Sequence, residues 1–165
     1  MQALVDVVKQ GKALYVGISR WPLRALEFAE KYLRDHDVPM LIYQDRVNLL
    51  DYAPIEEGKL KFCIDGGIGF IGFSPLAQGV LTNRYLNGVP DSRMALNASL
   101  KQSSLTPELL EKLRALNLQA EQRGETLAAT ALSWVLKQHG VTSVIVGVSS
   151  VEQLADNLKA VESIL

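Results

Sequence analysis

Four short, almost wholly apolar segments recur along this chain, each followed by a stretch with helical spacing. They are 14–18, 39–43, 68–73 and 142–146. A strand with one wet face alternates apolar and polar residues. A strand apolar throughout is buried on both faces, which suits a parallel sheet covered by crossover helices. The pattern predicts an α/β fold of four parallel strands with flanking helices.

The helical stretches carry their own start and stop signals. Residues 2–10 read as an amphipathic helix with Leu4, Val5 and Val8 on one side and Gly11 as its stop. Leu23, Leu26, Phe28, Ala29 and Leu33 give 21–34 helical spacing. Another helix is predicted around 56–64. Thr106-Pro107-Glu108 is a strong helix start, with Thr as N-cap, Pro at the first position and Glu in the first turn. Leu109, Leu110, Leu113 and Leu116 form its apolar face, and Gly124 ends it. Thr126 opens a helix that runs through Leu136 to a stop at Gly140, and a last helix spans about Val151 to Ile164. Between these, 74–105 has weak periodicity and many turn formers. It reads as a long loop, and loops of that length inside a compact domain are functional or disordered.

Composition narrows the function classes. At 165 residues the chain is long enough for one domain, 1–165, with a real core. With 48% hydrophobic and 21% charged residues it has an ordinary soluble balance. A net charge of −1 and the lack of a basic stripe argue against a nucleic-acid partner. No apolar run reaches the roughly 20 residues that span a bilayer. The first residues do not read as a signal peptide, so no membrane partner and a cytoplasmic location are expected. Cys63 is the only cysteine, which excludes an internal disulfide and a Cys-rich metal site. It reads as a buried, inert thiol. The two histidines, His36 and His139, follow helices and read as solvated loop residues.

In parallel α/β folds ligands sit at the carboxyl ends of the strands. Here those ends carry Ser19-Arg20, Gln44, the run 74–79, and 147–150. Each end carries small or hydrogen-bonding residues, and none forms a metal-binding cluster. At the fourth end, Gly147-x-Ser149 leads into a helix bearing Gln153, Asp156 and Asn157 on one face. Two readings stand: an ordinary capped helix with a polar outer face, or a helix N-terminus that takes an anion, with amides one turn in for an adenine edge.

Three segments carry a resemblance: 13–19 (Ala-Leu-Tyr-Val-Gly-Ile-Ser), 73–82 (Phe-Ser-Pro-Leu-Ala-Gln-Gly-Val-Leu-Thr) and 146–154 (Val-Gly-Val-Ser-Ser-Val-Glu-Gln-Leu). In order and spacing they resemble the aldo-keto reductase superfamily. Ser19-Arg20-Trp21 and 87–93 are similar to its branch of bacterial glyceraldehyde 3-phosphate reductases and potassium-channel β subunits. The resemblance covers essentially the whole chain. It implies a (β/α)₈ barrel binding NADP across its strand ends, without a Gly-x-Gly-x-x-Gly fingerprint. The four strands here would be strands five to eight, the C-terminal half of the barrel.

By that resemblance Ser19, Arg20 and Gln44 would hold the nicotinamide end, and Phe73 would stack on its ring. Ser74, Pro75, Leu76, Ala77 and Gly79 would wrap the pyrophosphate, and Arg84 and Arg93 would engage phosphates, with Arg93 on the 2′-phosphate. Gly147, Ser149, Gln153, Asp156 and Asn157 would hold the adenosine end. Three residues depart from the family: Arg20 where many members have Asn, Val47 in place of an aromatic, and Asp156 where Glu is common. Val47 would enlarge or loosen the substrate side, and Asp156 would shorten the reach to adenine.

The resemblance also implies an absence. The family's proton donor is a Tyr assisted by Lys, Asp and His on the first four strands. None of the tyrosines here is placed to match it with a Lys and His beside it. The chain therefore reads as truncated, with its catalytic residues missing, and as inactive alone. A small carbonyl is the family substrate. A half barrel would pair with another copy, as a homo-oligomer, or with a complementary N-terminal half. The alternatives are a non-catalytic NADP-binding or regulatory module, and a fragment with no function of its own.

Overall fold

The computed structural model describes residues 1–86 and 105–162. Arg93, the rest of 87–104 and Ile164, where the sequence predicts the last helix to end, lie outside them. The elements follow in the order α1 (Gln2–Lys9), β1 (Val16–Ser19), α2 (Leu23–Arg34), β2 (Met40–Arg46), α3 (Ala53–Glu56), α4 (Lys59–Gly66), β3 (Gly69–Phe73), two short 3₁₀ turns (Ala77–Gly79 and Asn83–Tyr85), α5 (Pro107–Gln122), α6 (Leu127–Leu136), β4 (Val141–Ile145) and α7 (Val151–Glu162).

The sheet has the order β1-β2-β3-β4, and every pairing is parallel. It is open, so among the described residues β1 and β4 each present an unpaired edge. The strand periodicity splits the sheet into two faces. Val16, Ile18, Met40, Tyr43 and Phe70 are buried beneath the helices. They pack with Leu26, Ala29 and Leu33 of α2, Leu60 and Cys63 of α4, and Val135 of α6 in the main core. Each buried leucine contributes roughly 1.5–3 kcal/mol relative to exposure. The opposite face, carrying Gly17, Ser19, Gln44, Ile71, Phe73 and Ile145, is half-buried or exposed.

A second core joins the segment after β3 to α5 and α6. Leu81 and Tyr85 pack with Leu113 and Leu127. Both helices start as their sequences require. Thr106 accepts a hydrogen bond from the Leu109 amide at 3.2 Å, and Thr126 accepts one from Ala129 at 3.1 Å.

The structure corrects several boundaries. β1 begins at Val16, because Val16 is the first residue opposite β2; Leu14 and Tyr15 before it are exposed. β2 runs on to Arg46, and β4 begins one residue early. The helix expected around 56–64 is two helices, broken at Gly58, whose φ of 79° ends one turn and starts the next. His36 is half-buried rather than solvated: its ring stacks on Tyr32 at 4.3 Å and its Nδ1 lies 2.7 Å from the Tyr32 carbonyl. Val47 is fully buried in the main core, within the space that a Cβ on Gly72 would need.

Candidate functional site

A cavity of about 730 Å³ lies against the carboxyl ends of β3 and β4. That is within the size range of pockets for small molecules and cofactors. Of the residues singled out in the sequence, Phe73, Ser74, Pro75, Leu76, Gly79, Arg84, Gly147, Ser149, Gln153, Asp156 and Asn157 line it. They come from segments far apart in sequence, and the parallel β3–β4 pairing brings them face to face. Ala77 is not on the wall; it packs against the second core. Ser19, Arg20 and Gln44 stand beside the cavity rather than on its wall. Ser19 and Gln44 are direct partners across β1 and β2. The Arg20 guanidinium carbon sits 6.0 Å from the Phe73 ring centroid, within cation–π reach. Arg93 lies outside the described residues.

The near wall is unusual backbone. Ser74, Ala77 and Gln78 have φ of 52°, 47° and 60°, and Gly79 follows at 91°. Non-glycine residues in this region cost energy and cluster where backbone groups are aimed at a ligand. Gly79 also approaches Arg84: an added Cβ would lie 3.4 Å from its guanidinium. The Gly79 carbonyl accepts from the Thr82 hydroxyl at 2.7 Å, and that hydroxyl accepts from the Arg84 amide at 3.3 Å. These bonds fix Arg84 at the cavity rim. The strain is held in part by Asn48, a role that spacing gave no reason to assign. Asn48 is 2% exposed, and its side chain donates to the Ser74 carbonyl at 3.1 Å while accepting from the Leu50 amide at 2.9 Å.

The far wall is helix α7, whose outer face mixes apolar residues with the exposed Glu152, Lys159 and Glu162. Val151, Leu154, Leu158 and Val161 are exposed. Gln153, Asp156 and Asn157 are half-buried and face the cavity. The polar residues singled out on this helix therefore lie on the cavity side rather than on its outer face. Ser150 caps the helix by accepting from the Gln153 amide at 3.2 Å. The Gln153 side-chain oxygen accepts from both the amide and the hydroxyl of Ser149, at 2.9 and 3.1 Å. Thr126 donates to Asp156 at 2.9 Å, so the first turn of α6 is tied to α7. The starts of α6 and α7 thus both border the cavity. With Arg84 opposite, the two helix starts give the wall positive ends that suit phosphate oxygens, alongside the Asp156 carboxylate.

A polar cluster that sequence reading missed lies on the other side of the sheet. Tyr43 is fully buried, Asp45 is 5% exposed and Lys59 is 8% exposed. Asp45 Oδ2 lies 2.6 Å from the Tyr43 hydroxyl and 3.2 Å from Lys59 Nζ, and Lys59 also pairs with Glu57 at 2.8 Å. So one tyrosine has a lysine in its network, without the histidine that the family's proton donor has beside it. Its position under the helices removes it from the cavity. Burial and then the bond to Asp45 raise the Tyr43 pKa above its ordinary value. Burial opposes the Lys59 ammonium, but bonds to Glu57 and Asp45 outweigh it and raise its pKa. Cys63 is fully buried, and burial pushes its thiol up to about 12. Among the described residues no group of three or more His, Cys, Asp or Glu could hold a metal ion. No described helix is long and apolar enough to cross a membrane.

Known proteins share this arrangement of sequence and fold. The chain is 44% identical over 168 residues to L-glyceraldehyde 3-phosphate reductase of Escherichia coli K12, covering 98% of this chain and 48% of that protein. It is 34% identical over 170 residues to a putative voltage-gated potassium channel subunit beta of Schizosaccharomyces pombe, covering 99% and 49%. The fold matches a thermostable aldo-keto reductase, solved with the inhibitor epalrestat, at a TM-score of 0.69 and 26% identity, over 98% of this chain and 47% of that one. The chain spans about half the length of the curated relatives it matches. The four parallel strands with flanking helices are therefore an open segment of a TIM-barrel fold. A family model of the aldo/keto reductases matches residues 1–165, and the chain belongs to that family.

Proposed function

We propose that this chain is the cofactor-holding part of an NADP-dependent reductase of small aldehydes and ketones, built as strands five to eight of the family barrel over 1–165. One observation carries the reading: the cavity at the ends of β3 and β4, with a strained backbone turn and Arg84 on one wall and the inward polar face of α7 on the other. In this reading Phe73 stacks on the nicotinamide, with Arg20 at its edge and Ser19 and Gln44 on the carboxamide. Ser74, Pro75, Leu76 and Gly79 wrap the pyrophosphate, with Ala77 behind them against the second core. Arg84 and Arg93 meet phosphates, and Gln153, Asp156 and Asn157 hold the adenosine end. The bound cofactor would supply the hydride.

A carbonyl that receives hydride must also receive a proton. The cavity wall carries no tyrosine among the described residues, and Tyr43 is sealed beneath the helices. The acid then belongs to strands outside this sheet. On this reading the chain alone turns over aldehydes far below the rate of a full barrel, and it works as a cytoplasmic protein with a second copy or a complementary N-terminal half. The lack of a wall tyrosine, together with the likeness to a channel β subunit, also favours a second reading, a non-catalytic NADP-binding module.

Calorimetric titration of the chain with NADPH and NADH tests the binding claim, with heat from NADPH expected at one site. No heat with either nucleotide sinks it. NADPH-dependent reduction of small aldehydes separates the two readings. Activity restored by adding a complementary half supports the reductase, and binding that stays silent in every such mixture supports the module.

A further inference from the structure

We infer that Tyr43 is a positioning residue for the turn after β1, and that its buried hydroxyl sets where Arg20 stands over Phe73. The inference rests on the cofactor reading above for its functional consequence, but its geometry stands apart from it. Arg20 has a left-handed backbone, with φ of 59°. That conformation is costly for arginine and persists only where neighbours hold it. Two bonds do so. The Arg20 amide donates to the Gln44 carbonyl at 3.0 Å. The next residue, Trp21, presents its carbonyl to the Tyr43 hydroxyl at 3.0 Å. The turn is thus pinned to β2 on both sides of the residue that carries the guanidinium.

The phenol has one proton and two acceptors, the Trp21 carbonyl and Asp45 at 2.6 Å. Asp45 is occupied elsewhere as well, by Lys59 at 3.2 Å and by the Arg46 amide at 2.8 Å. Asp45 and Lys59 therefore do not touch the turn themselves; they orient the phenol that does. The Tyr43 ring is fixed from the other side by Phe70, at 6.0 Å between centroids. This makes an asymmetric prediction within one buried network. Removing the Tyr43 hydroxyl cuts the tie to Trp21. Replacing Asp45 by Asn weakens the competing acceptor and supplies an N–H that can donate to the phenol oxygen, so the phenol proton turns to the Trp21 carbonyl and the tie is kept.

The test is backbone amide exchange at Arg20 in the full chain, set against amides in the β2–β3 pairing, with NADPH titration in parallel. In Tyr43→Phe the Arg20 amide should exchange about tenfold faster while the β2–β3 amides hold, and NADPH should bind about tenfold more weakly, the size of one lost hydrogen bond. In Asp45→Asn the Arg20 amide should keep its protection. Unchanged Arg20 exchange in Tyr43→Phe overturns the inference. So does Arg20 exchange that accelerates in Asp45→Asn while the β2–β3 amides hold, and this second outcome decides the matter even if Tyr43→Phe does not fold. If the unaltered chain binds no NADPH yet Arg20 exchange follows the predicted asymmetry, the cofactor reading falls and the positioning role stands.

Discussion

Single residues decide whether the cavity wall keeps its shape. Gly79 adopts φ of 91° beside the Arg84 guanidinium, so Gly79→Ala forces a side chain into a region that costs an L-residue roughly 1–2 kcal/mol. Urea unfolding should register that loss, and NADPH affinity should fall with it. Buried titratable groups set the alkaline limit. The Cys63 thiol, Tyr43 and Lys59 all have pKa values raised in the folded state. For a group whose folded pKa is raised, the stabilisation is fully present below the unfolded pKa and is lost as pH rises through the folded one. Stability should therefore hold up to about pH 9, the ordinary value for the thiol, and fall as pH climbs toward 12. Cys63→Ala should remove the earliest part of that fall, as read by thermal melts across pH. The same burial predicts a native thiol that resists a disulfide reagent at pH 8 and reacts once urea unfolds the chain.

Elements meet at the site through their termini. Thr126 does two jobs: it caps α6 through Ala129 and ties that helix to α7 through Asp156. Thr106 only caps α5, and in an exposed position. Thr126→Ala should therefore cost about 1–2 kcal/mol and Thr106→Ala about 0.5–1 kcal/mol, the spread found for lost caps. Only the first should also weaken NADPH binding. Equal effects on binding would show that the α6–α7 tie does not matter to the cavity. The caps themselves were readable, because a Thr before an apolar run is a local signal. The double duty of Thr126 was not, since Asp156 lies 30 residues further along.

At the scale of the whole molecule the open sheet dominates. Among the described residues both edge strands are unpaired, and each flank carries exposed apolar residues: Leu14 and Tyr15 before β1, and Val151, Leu154, Leu158 and Val161 on α7. Large exposed apolar patches mark interaction surfaces or invite aggregation. A second copy would cover both flanks at once. Sedimentation at micromolar concentration should therefore show a species heavier than the 18.1 kDa chain. Val151→Lys with Leu158→Lys should return it to monomer mass. A monomer before substitution would argue against self-association.

What the sequence determined alone is whatever depends on near neighbours or on side-chain period. The four strands, the helices between them and the Thr and Gly signals at their ends follow from spacing and local backbone preference. The motifs at the strand ends named most of the cavity wall. Tertiary structure decided the rest. Parallel pairing carried 73–84 and 145–157 to opposite sides of one cavity and left Ala77 facing a core. Helix α7 looks like an ordinary amphipathic helix in sequence, and only its packing shows that Gln153, Asp156 and Asn157 point inward. Tyr43, Asp45 and Lys59 are unremarkable in order along the chain. They become a network because alternate residues of β2 share a face and the turn at Gly58 brings the first residue of α4 over it. Periodicity records which face of an element is apolar. It does not record what that face meets, because contacts between distant segments are fixed only when the sheet forms and the helices close over it.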